Sequence, residues 1–213
     1  MVDDQLLERL VDDLRPRRRR RPGIEALAIL SICALELALL LGTGFVRPDM
    51  IQAMALASFW WKLGSLGLLA IGGGVTSILS FDPSRSPRLG LSRLLALLIL
   101  CLVGGWFVGA PRAALTTLLA RLDWSEGIVC LAKMVVLSLP PLFGLGLLMR
   151  RGAPTQPVGT ALAVGITAAA CGALIFVFAC PHDDPLYIAV WYVAGCGLVT
   201  LAARLLLPIL TRW

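Results

Sequence analysis

The sequence predicts an all-α, polytopic membrane protein with six transmembrane helices, a short cytoplasmic amphipathic helix at the N-terminus, and both termini in the cytoplasm. Composition is the first observation, because 58% of the residues are hydrophobic and 15% are charged, whereas about a quarter of the residues of a soluble domain are charged. Six long apolar runs are the second observation, and an uneven distribution of arginines between the two membrane sides is the third. We expect two parts, a cytoplasmic segment at residues 1–23 and a six-helix domain at residues 24–213.

The N-terminal segment contains a predicted amphipathic helix at residues 2–14, whose carboxylates lie opposite an apolar stripe. Five carboxylates against one arginine give this stretch a side-chain charge of minus four, which disfavours an anionic lipid surface. So short a helix is marginally stable alone, and we therefore expect it to fold in a groove of a partner protein. A frayed tail is the alternative. The apolar stripe comprises Val2, Leu6, Leu7, Leu10, Val11 and Leu14.

Six apolar runs follow, each long enough to cross a hydrocarbon layer, which takes roughly 20 residues as a helix. They are nearly continuous in their apolar character, whereas the strands of a membrane barrel would alternate over about ten residues. Helices are therefore the predicted spanning elements. The runs occupy residues 24–46, 53–79, 91–110, 127–149, 157–180 and 186–207. Within the fourth run, Pro140 and Pro141 predict a kink.

Arginines predict the orientation of these spans. Fourteen fall in or next to the two termini and the second and fourth loops, against three on the other side. Positively charged loops stay in the cytoplasm, so both termini are expected there. This bias also accounts for the net charge of +6. We therefore expect the lipid bilayer as a partner of the chain, and no nucleic acid.

Glu36 and Lys62 are charged residues within spans, and each lies about 14 Å from the outer end of its helix at 1.5 Å per residue. Burying either charge alone is costly, so an ion pair between them is predicted, with a role in helix packing. The alternative is a proton or ion pathway. No ladder of further ionisable groups continues across the membrane, which favours the packing role.

Six cysteines divide into two classes by position. Cys130 and Cys180 lie at the outer boundary of their spans, whereas the other four fall well inside apolar stretches, where a thiol usually behaves as a small hydrophobe. Those four are Cys33, Cys101, Cys171 and Cys196. We therefore expect chemistry at the outer pair alone. A permanent disulfide, or two unreacted boundary thiols, is the structural alternative.

Polar groups near the outer pair suggest two kinds of chemistry. The thiols could form a disulfide if their helices are neighbours. Alternatively, Cys130, Cys180 and His182, with Asp183 or Asp184, offer the thiolate, imidazole and carboxylate ligands that suit zinc or cadmium. The two aspartates could instead solvate a tight turn.

Lys133 follows Cys130 by three residues and therefore lies on the same helix face. A nearby ammonium favours the reactive thiolate, so Lys133 is a candidate activating group. Its long side chain could equally serve as an anchor at the membrane interface.

Several motifs resemble, in order and spacing, the NrsF family of bacterial membrane anti-sigma factors, and the likeness covers the whole chain. They are Leu6-Leu7-Glu8-Arg9-Leu10, Asp13-Leu14-Arg15-Pro16, Phe59-Trp60-Trp61-Lys62, Cys130, Arg150-Arg151-Gly152-Ala153-Pro154, Cys180-Pro181-His182-Asp183-Asp184-Pro185 and Trp191-Tyr192. The resemblance implies a six-helix protein of the bacterial inner membrane that holds an extracytoplasmic-function sigma factor. It also implies that two periplasm-facing cysteines, here Cys130 and Cys180, sense oxidants or thiophilic heavy metals.

Under this hypothesis the protein is a regulator without catalytic activity or a resident cofactor, and the sigma factor is bound through Leu6, Leu7, Leu10 and Leu14. A membrane thiol oxidoreductase that passes electrons to a quinone is the second hypothesis, which the absence of a CxxC pair disfavours. A small ion or metal transporter, based on Glu36 and Lys62, is the third. The sequence leaves the oligomeric state open.

Overall fold

The computed structural model describes residues 20–109, 122–152 and 154–211 of the chain. All regular secondary structure in these ranges is α-helical. The helices are α1 (Pro22–Gly42), α2 (Met50–Met54), α3 (Ala57–Ser80), α4 (Arg88–Gly109), α5 (Trp124–Arg151), α6 (Pro157–Phe176) and α7 (Pro185–Leu210). The predicted helix at residues 2–14 lies outside the described residues.

Six of these helices, all except α2, are long and apolar enough to cross a membrane. The predicted all-α architecture with six candidate spans is therefore confirmed. The helices alternate in direction, so the loops fall at two ends of the bundle. The sides of the membrane on which the termini lie stay a prediction.

Three span boundaries lie four residues inside the predicted ones, among them the start of the second span, at Ala57 and not at residue 53. The first span ends at Gly42, because Thr43 closes the helix through its backbone N–H and hydroxyl, and Gly44 then adopts a left-handed φ of 77°. The fifth ends at Phe176, so that Cys180 lies in the connection to the last helix. There the backbone N–H of Cys180 still donates to Phe176 O at 2.9 Å. Cys180 is thus held by a turn and not by a regular helix.

Helix α6 is the centre of the bundle and packs against α3, α5 and α7. Most of its residues are buried, and many are small. A Cβ placed on Gly172 would lie 2.6 Å from the backbone nitrogen of Ser138, and one on Gly165 would lie 2.7 Å from the Cα of Thr200. Glycine at these positions therefore allows the backbones of neighbouring helices to approach α6 directly.

Helix α5 is a single helix that contains Pro140 and Pro141, and the kink expected there stays a prediction. A proline has no N–H to donate to the carbonyl four residues earlier, which leaves Val136 and Leu137 without their usual helical donors. The contact between α5 and Gly172 lies at Leu137 and Ser138. Close helix packing thus falls where the backbone ladder of α5 is interrupted.

Two buried apolar clusters occupy the two ends of the bundle. The first surrounds Cys130 and Cys180 and includes Phe59, Tyr187 and Trp191; we call this the thiol end. The second lies toward the end of the bundle that carries Arg85, Arg88, Arg150 and Arg151, and we call this the arginine end.

Candidate thiol centre

The two boundary cysteines come together in the fold. The ligand atoms of Cys130, Cys180 and His182 all lie within 4.8 Å of one another. Both cysteines are free thiols, and their residues are 6% and 0% exposed. The sulfur of Cys180 also lies 3.9 Å from the backbone oxygen of His182. We call these three residues the thiol centre.

Cys130 is positioned by the first turns of α5. The side chain of Asp123 caps this helix by accepting from the backbone N–H of Glu126 at 3.4 Å. One turn later, the indole of Trp191 occupies the space beside Gly127, where an added Cβ would lie 2.0 Å from a ring atom. The same indole donates to Leu122 O at 2.7 Å. These contacts hold the start of α5 against the start of α7.

Cys180 and His182 are positioned by the 177–184 loop, which joins α6 to α7. Asp184 ends this loop by capping α7, since its carboxylate accepts from the backbone N–H of Leu186 at 3.0 Å. The ring of Tyr187 stacks on His182, with 4.3 Å between the ring centroids and an interplanar angle of 12°. The imidazole therefore has a fixed orientation beside the thiols.

A buried ion network lies behind this loop. Arg47, which is 4% exposed, donates to Asp183 Oδ2 at 2.6 Å, to both carboxylate oxygens of Asp49, and to Pro181 O at 3.1 Å. Lys62 has no exposed surface, donates to His182 O at 3.0 Å, and lies 3.5 Å from Asp183 Oδ1. Asp183 therefore carries the negative charge on which two buried cations converge.

The surroundings of Cys180 favour its thiolate. The neighbouring thiol of Cys130 and the ammonium of Lys62 lower the pKa of Cys180, against the opposing effect of burial. The thiolate is the reactive form of a cysteine, so we expect Cys180 to be the more reactive of the two thiols.

The thiol centre has the donor atoms that a soft metal ion requires. Two thiolates and one imidazole satisfy three of the four positions of a tetrahedral zinc or cadmium site. His182 also belongs to a second cluster with Asp123 and Glu126, and its Nε2 lies 3.5 Å from Glu126 Oε2. A fourth ligand would thus approach from Glu126 or from water.

Asp183 and Asp184 were the carboxylates expected as metal ligands, and the structure assigns them other contacts. Asp183 pairs with Arg47 and Lys62, and Asp184 caps α7. Neither belongs to the group of side chains that could hold an ion around the thiols. Both aspartates instead fix the shape of the loop that carries Cys180 and His182.

The predicted ion pair between Glu36 and Lys62 is wrong. Helix α1 packs mainly on α5, whereas α3 packs mainly on α6. Lys62 lies five residues after Ala57, the first residue of α3, and therefore roughly 8 Å from the start of the helix. From this position its side chain reaches the 177–184 loop. Glu36 lines a cleft between α1 and α5, where its Oε2 has no hydrogen-bond partner. The ion-carrier hypothesis loses the charge pair on which it was based.

Lys133, the predicted activating group, lies on an exposed face of α5 and lines the same cleft as Glu36. It is near enough to Cys130 for an electrostatic interaction, and its activating role stays a prediction. Sequence reasoning missed the cation nearer to Cys180, which is Lys62. The Trp-Trp-Lys order at residues 60–62 gives no indication of which helix that lysine faces.

The structure also brings together two of the cysteines expected to be inert. The thiols of Cys33 in α1 and Cys171 in α6 interact with each other within the membrane-spanning part of the bundle. Cys101 and Cys196 line an apolar groove beside α4 and α7. None of these four side chains lies near an imidazole in the described residues, in contrast to the outer pair.

Comparison with known proteins gives consistent matches. The family described as "NrsF: Negative regulator of sigma F" matches residues 10–213. The chain is 29% identical over 198 residues to the anti-sigma-F factor NrsF of Caulobacter vibrioides, which covers 92% of each protein. It is 28% identical over 171 residues to the probable anti-sigma-F factor NrsF of Azospira oryzae, or 79% of this chain and 78% of that protein. No solved structure matches the chain significantly.

Proposed function

The chain belongs to the NrsF family of negative regulators of sigma F, and from this membership we propose that it is a membrane anti-sigma factor that sequesters an extracytoplasmic-function sigma factor. The family is a regulatory one, and no catalytic activity is indicated for it. The sigma factor is released when Cys130 and Cys180 react with an oxidant or with a thiophilic heavy metal. One observation carries the second half of this proposal: two thiols and one imidazole within 4.8 Å of one another.

The proposed location is the bacterial inner membrane, with the arginine end and both termini in the cytoplasm. The arginine distribution supports this orientation through the positive-inside bias. The thiol end then faces the periplasm, an oxidising compartment in which a disulfide can form and persist.

Two reactions are compatible with the thiol centre. In the first, Cys130 and Cys180 lose two protons and two electrons to an oxidant and form one S–S bond. In the second, both thiols lose their protons and their thiolates displace water from a cadmium or zinc ion, with His182 as a third ligand. Mass spectrometry of the thiol state before and after stress distinguishes a disulfide from retained thiols.

Residues 1–23 are the proposed sigma-binding segment, with contacts from Leu6, Leu7, Leu10 and Leu14 and their flanking carboxylates. An acidic amphipathic helix is complementary to a basic groove in a partner. This part of the chain precedes α1, so it joins the bundle at the arginine end.

A reaction at the thiols must change the packing of helices that cross the membrane. The 177–184 loop joins α6 to α7 directly, and α6 packs closely against α5 near Pro140 and Pro141. A change in the loop therefore acts on three packed helices. Coupling between two such sites is typically about 1–3 kcal/mol, or roughly 5- to 150-fold in affinity.

The test is purification of the full-length protein from its native host, with and without cadmium or peroxide stress. We expect a sigma factor to co-elute from unstressed cells and to be lost after stress. Cys130→Ser and Cys180→Ser should each abolish the loss, whereas Cys196→Ser should not. Absence of a co-eluting sigma factor contradicts the anti-sigma function, and a normal response in either outer-thiol variant contradicts the sensing mechanism.

A further inference from the structure

A single backbone carbonyl connects the buried ion network to the thiol centre. The ammonium of Lys62 donates to His182 O at 3.0 Å, and the Cys180 sulfur lies 3.9 Å from the same oxygen. Lys62 is also the cation that interacts electrostatically with Cys180. Lys62, which belongs to α3, therefore interacts with both members of the thiol centre that lie in the loop, Cys180 and His182.

Arg47 holds the same loop through other atoms. Its guanidinium donates to Pro181 O, in the residue that follows Cys180, and to Asp183 Oδ2, in the residue that follows His182. The backbone N–H of Arg47 donates to Phe178 O at 3.0 Å, so main chain and side chain both contact this connection. Two cations from different parts of the chain thus fix every residue between Cys180 and Asp183.

Burial makes the loss of any one partner of this network costly. Lys62 is fully buried, Arg47 is 4% exposed, and the Asp183 side chain is 7% exposed. Removing one partner of such a network leaves an uncompensated charge in a low-dielectric site. The loop consequently has few alternative conformations while both cations are in place.

We propose that Lys62 and Arg47, together with Asp183, form a clamp that holds the 177–184 loop closed and so keeps Cys180 and His182 in register with Cys130. The inference deepens the proposed thiol response and rests on it. Lys62 and Arg47 are positioning residues in this scheme, because neither belongs to the cluster of metal-binding donors. Loss of the clamp opens the loop, exposes Cys180, and separates it from Cys130.

The test uses the purified full-length protein in lipid nanodiscs and two readouts at one fixed pH. The first is the rate at which a bulky, charged maleimide labels Cys180, followed by mass spectrometry. The second is the affinity for Cd²⁺ alone, followed by the ultraviolet charge-transfer absorption of the cadmium–thiolate bonds. The variants are Lys62→Met, Lys62→Arg and Asp183→Asn. The control is Arg93→Met, which removes an exposed cation from α4.

An open loop moves the two readouts in opposite directions. We expect Lys62→Met to label Cys180 faster and to bind Cd²⁺ more weakly, each by on the order of 10- to 100-fold, which is the effect of losing a hydrogen bond to a charged group. Lys62→Arg keeps a cation at the loop and should restore most of both properties. Arg93→Met should change neither.

Several results would overturn the clamp. Slower labelling of Cys180 in Lys62→Met would mean that the lysine activates the thiol but does not hold the loop closed. Unchanged labelling would mean that the lysine neither activates the thiol nor holds the loop. If Lys62→Met also labels Cys171 and Cys196, the bundle has unfolded, and Asp183→Asn then decides: faster labelling of Cys180 alone supports the clamp, and unchanged labelling refutes it. These readouts need no sigma factor, so they separate a failure of the clamp from a failure of the proposed function. The proposed function fails if the wild-type protein releases no sigma factor at any cadmium dose.

Discussion

The contact between Gly127 and Trp191 gives the sharpest test of how the thiol centre is assembled. In Gly127→Ala, the new methyl carbon would lie 2.0 to 2.5 Å from three atoms of the indole. The ring must retreat by more than an ångström to reach an ordinary contact distance. Trp191 is buried, donates to Leu122 O and packs edge to face on Trp124 at 5.3 Å, so the rigid ring cannot simply rotate away.

The expected cost follows from three contributions. Overpacking a well-packed site costs about 1–3 kcal/mol, and a weakened hydrogen bond to Leu122 adds about 1 kcal/mol. Replacing glycine by alanine within a helix returns roughly 0.5–1 kcal/mol. We therefore expect Gly127→Ala to lower the free energy of unfolding by about 1–3 kcal/mol. Cys130 lies three residues further on the same helix face, so the displacement also separates the two thiols.

The assay is reversible unfolding in mixed micelles, followed by circular dichroism, together with the rate of disulfide formation between Cys130 and Cys180 under a mild oxidant. Gly197→Ala is the matched control, because it lies on α7 and an added methyl there meets nothing within 4 Å. It should be neutral or slightly stabilising. If Gly127→Ala unfolds like Gly197→Ala and forms the disulfide at the wild-type rate, the argument for this contact fails.

Three further predictions concern other parts of the chain. Glu36→Gln and Lys62→Met should have additive effects on the free energy of unfolding, because the two side chains make no pair; a coupling above about 0.5 kcal/mol in a double-mutant cycle would contradict the structure. Leu7→Asp combined with Leu10→Asp should release the sigma factor without stress, which a target-promoter reporter would show, while membrane fractionation should show that insertion persists. Retained sigma binding would instead place the interface in the loops at the arginine end. Because its pKa is lowered, Cys180 should stay reactive toward iodoacetamide as the pH falls below 8, and loss of the Cys130 thiol should shift this profile to higher pH; an unshifted profile would remove Cys130 as the cause.

Hydropathy alone predicted the six spans and the shared depth of Cys130 and Cys180, because both depend only on the length of apolar runs. The neighbours of each helix could not be predicted in this way. Lys62 illustrates the difference: its burial cost was recognised, but its partner is Asp183, which belongs to a loop more than 100 residues away in sequence. Which charges meet depends on helix packing, and that packing is determined by small residues such as Gly172, whose contacts have no signature in a hydropathy pattern.

The central position of α6 has a consequence for how this sequence can change over evolutionary time. A helix that is surrounded by three others through glycine and alanine cannot accept larger side chains, whereas α1 and α4 expose most of their apolar surface and can exchange one large apolar residue for another at little cost. Substitutions among relatives with below 30% identity should therefore accumulate on α1 and α4 and be rare on α6. The same contrast predicts that natural variants of this protein are silent on α1 and α4 and prevent folding on α6.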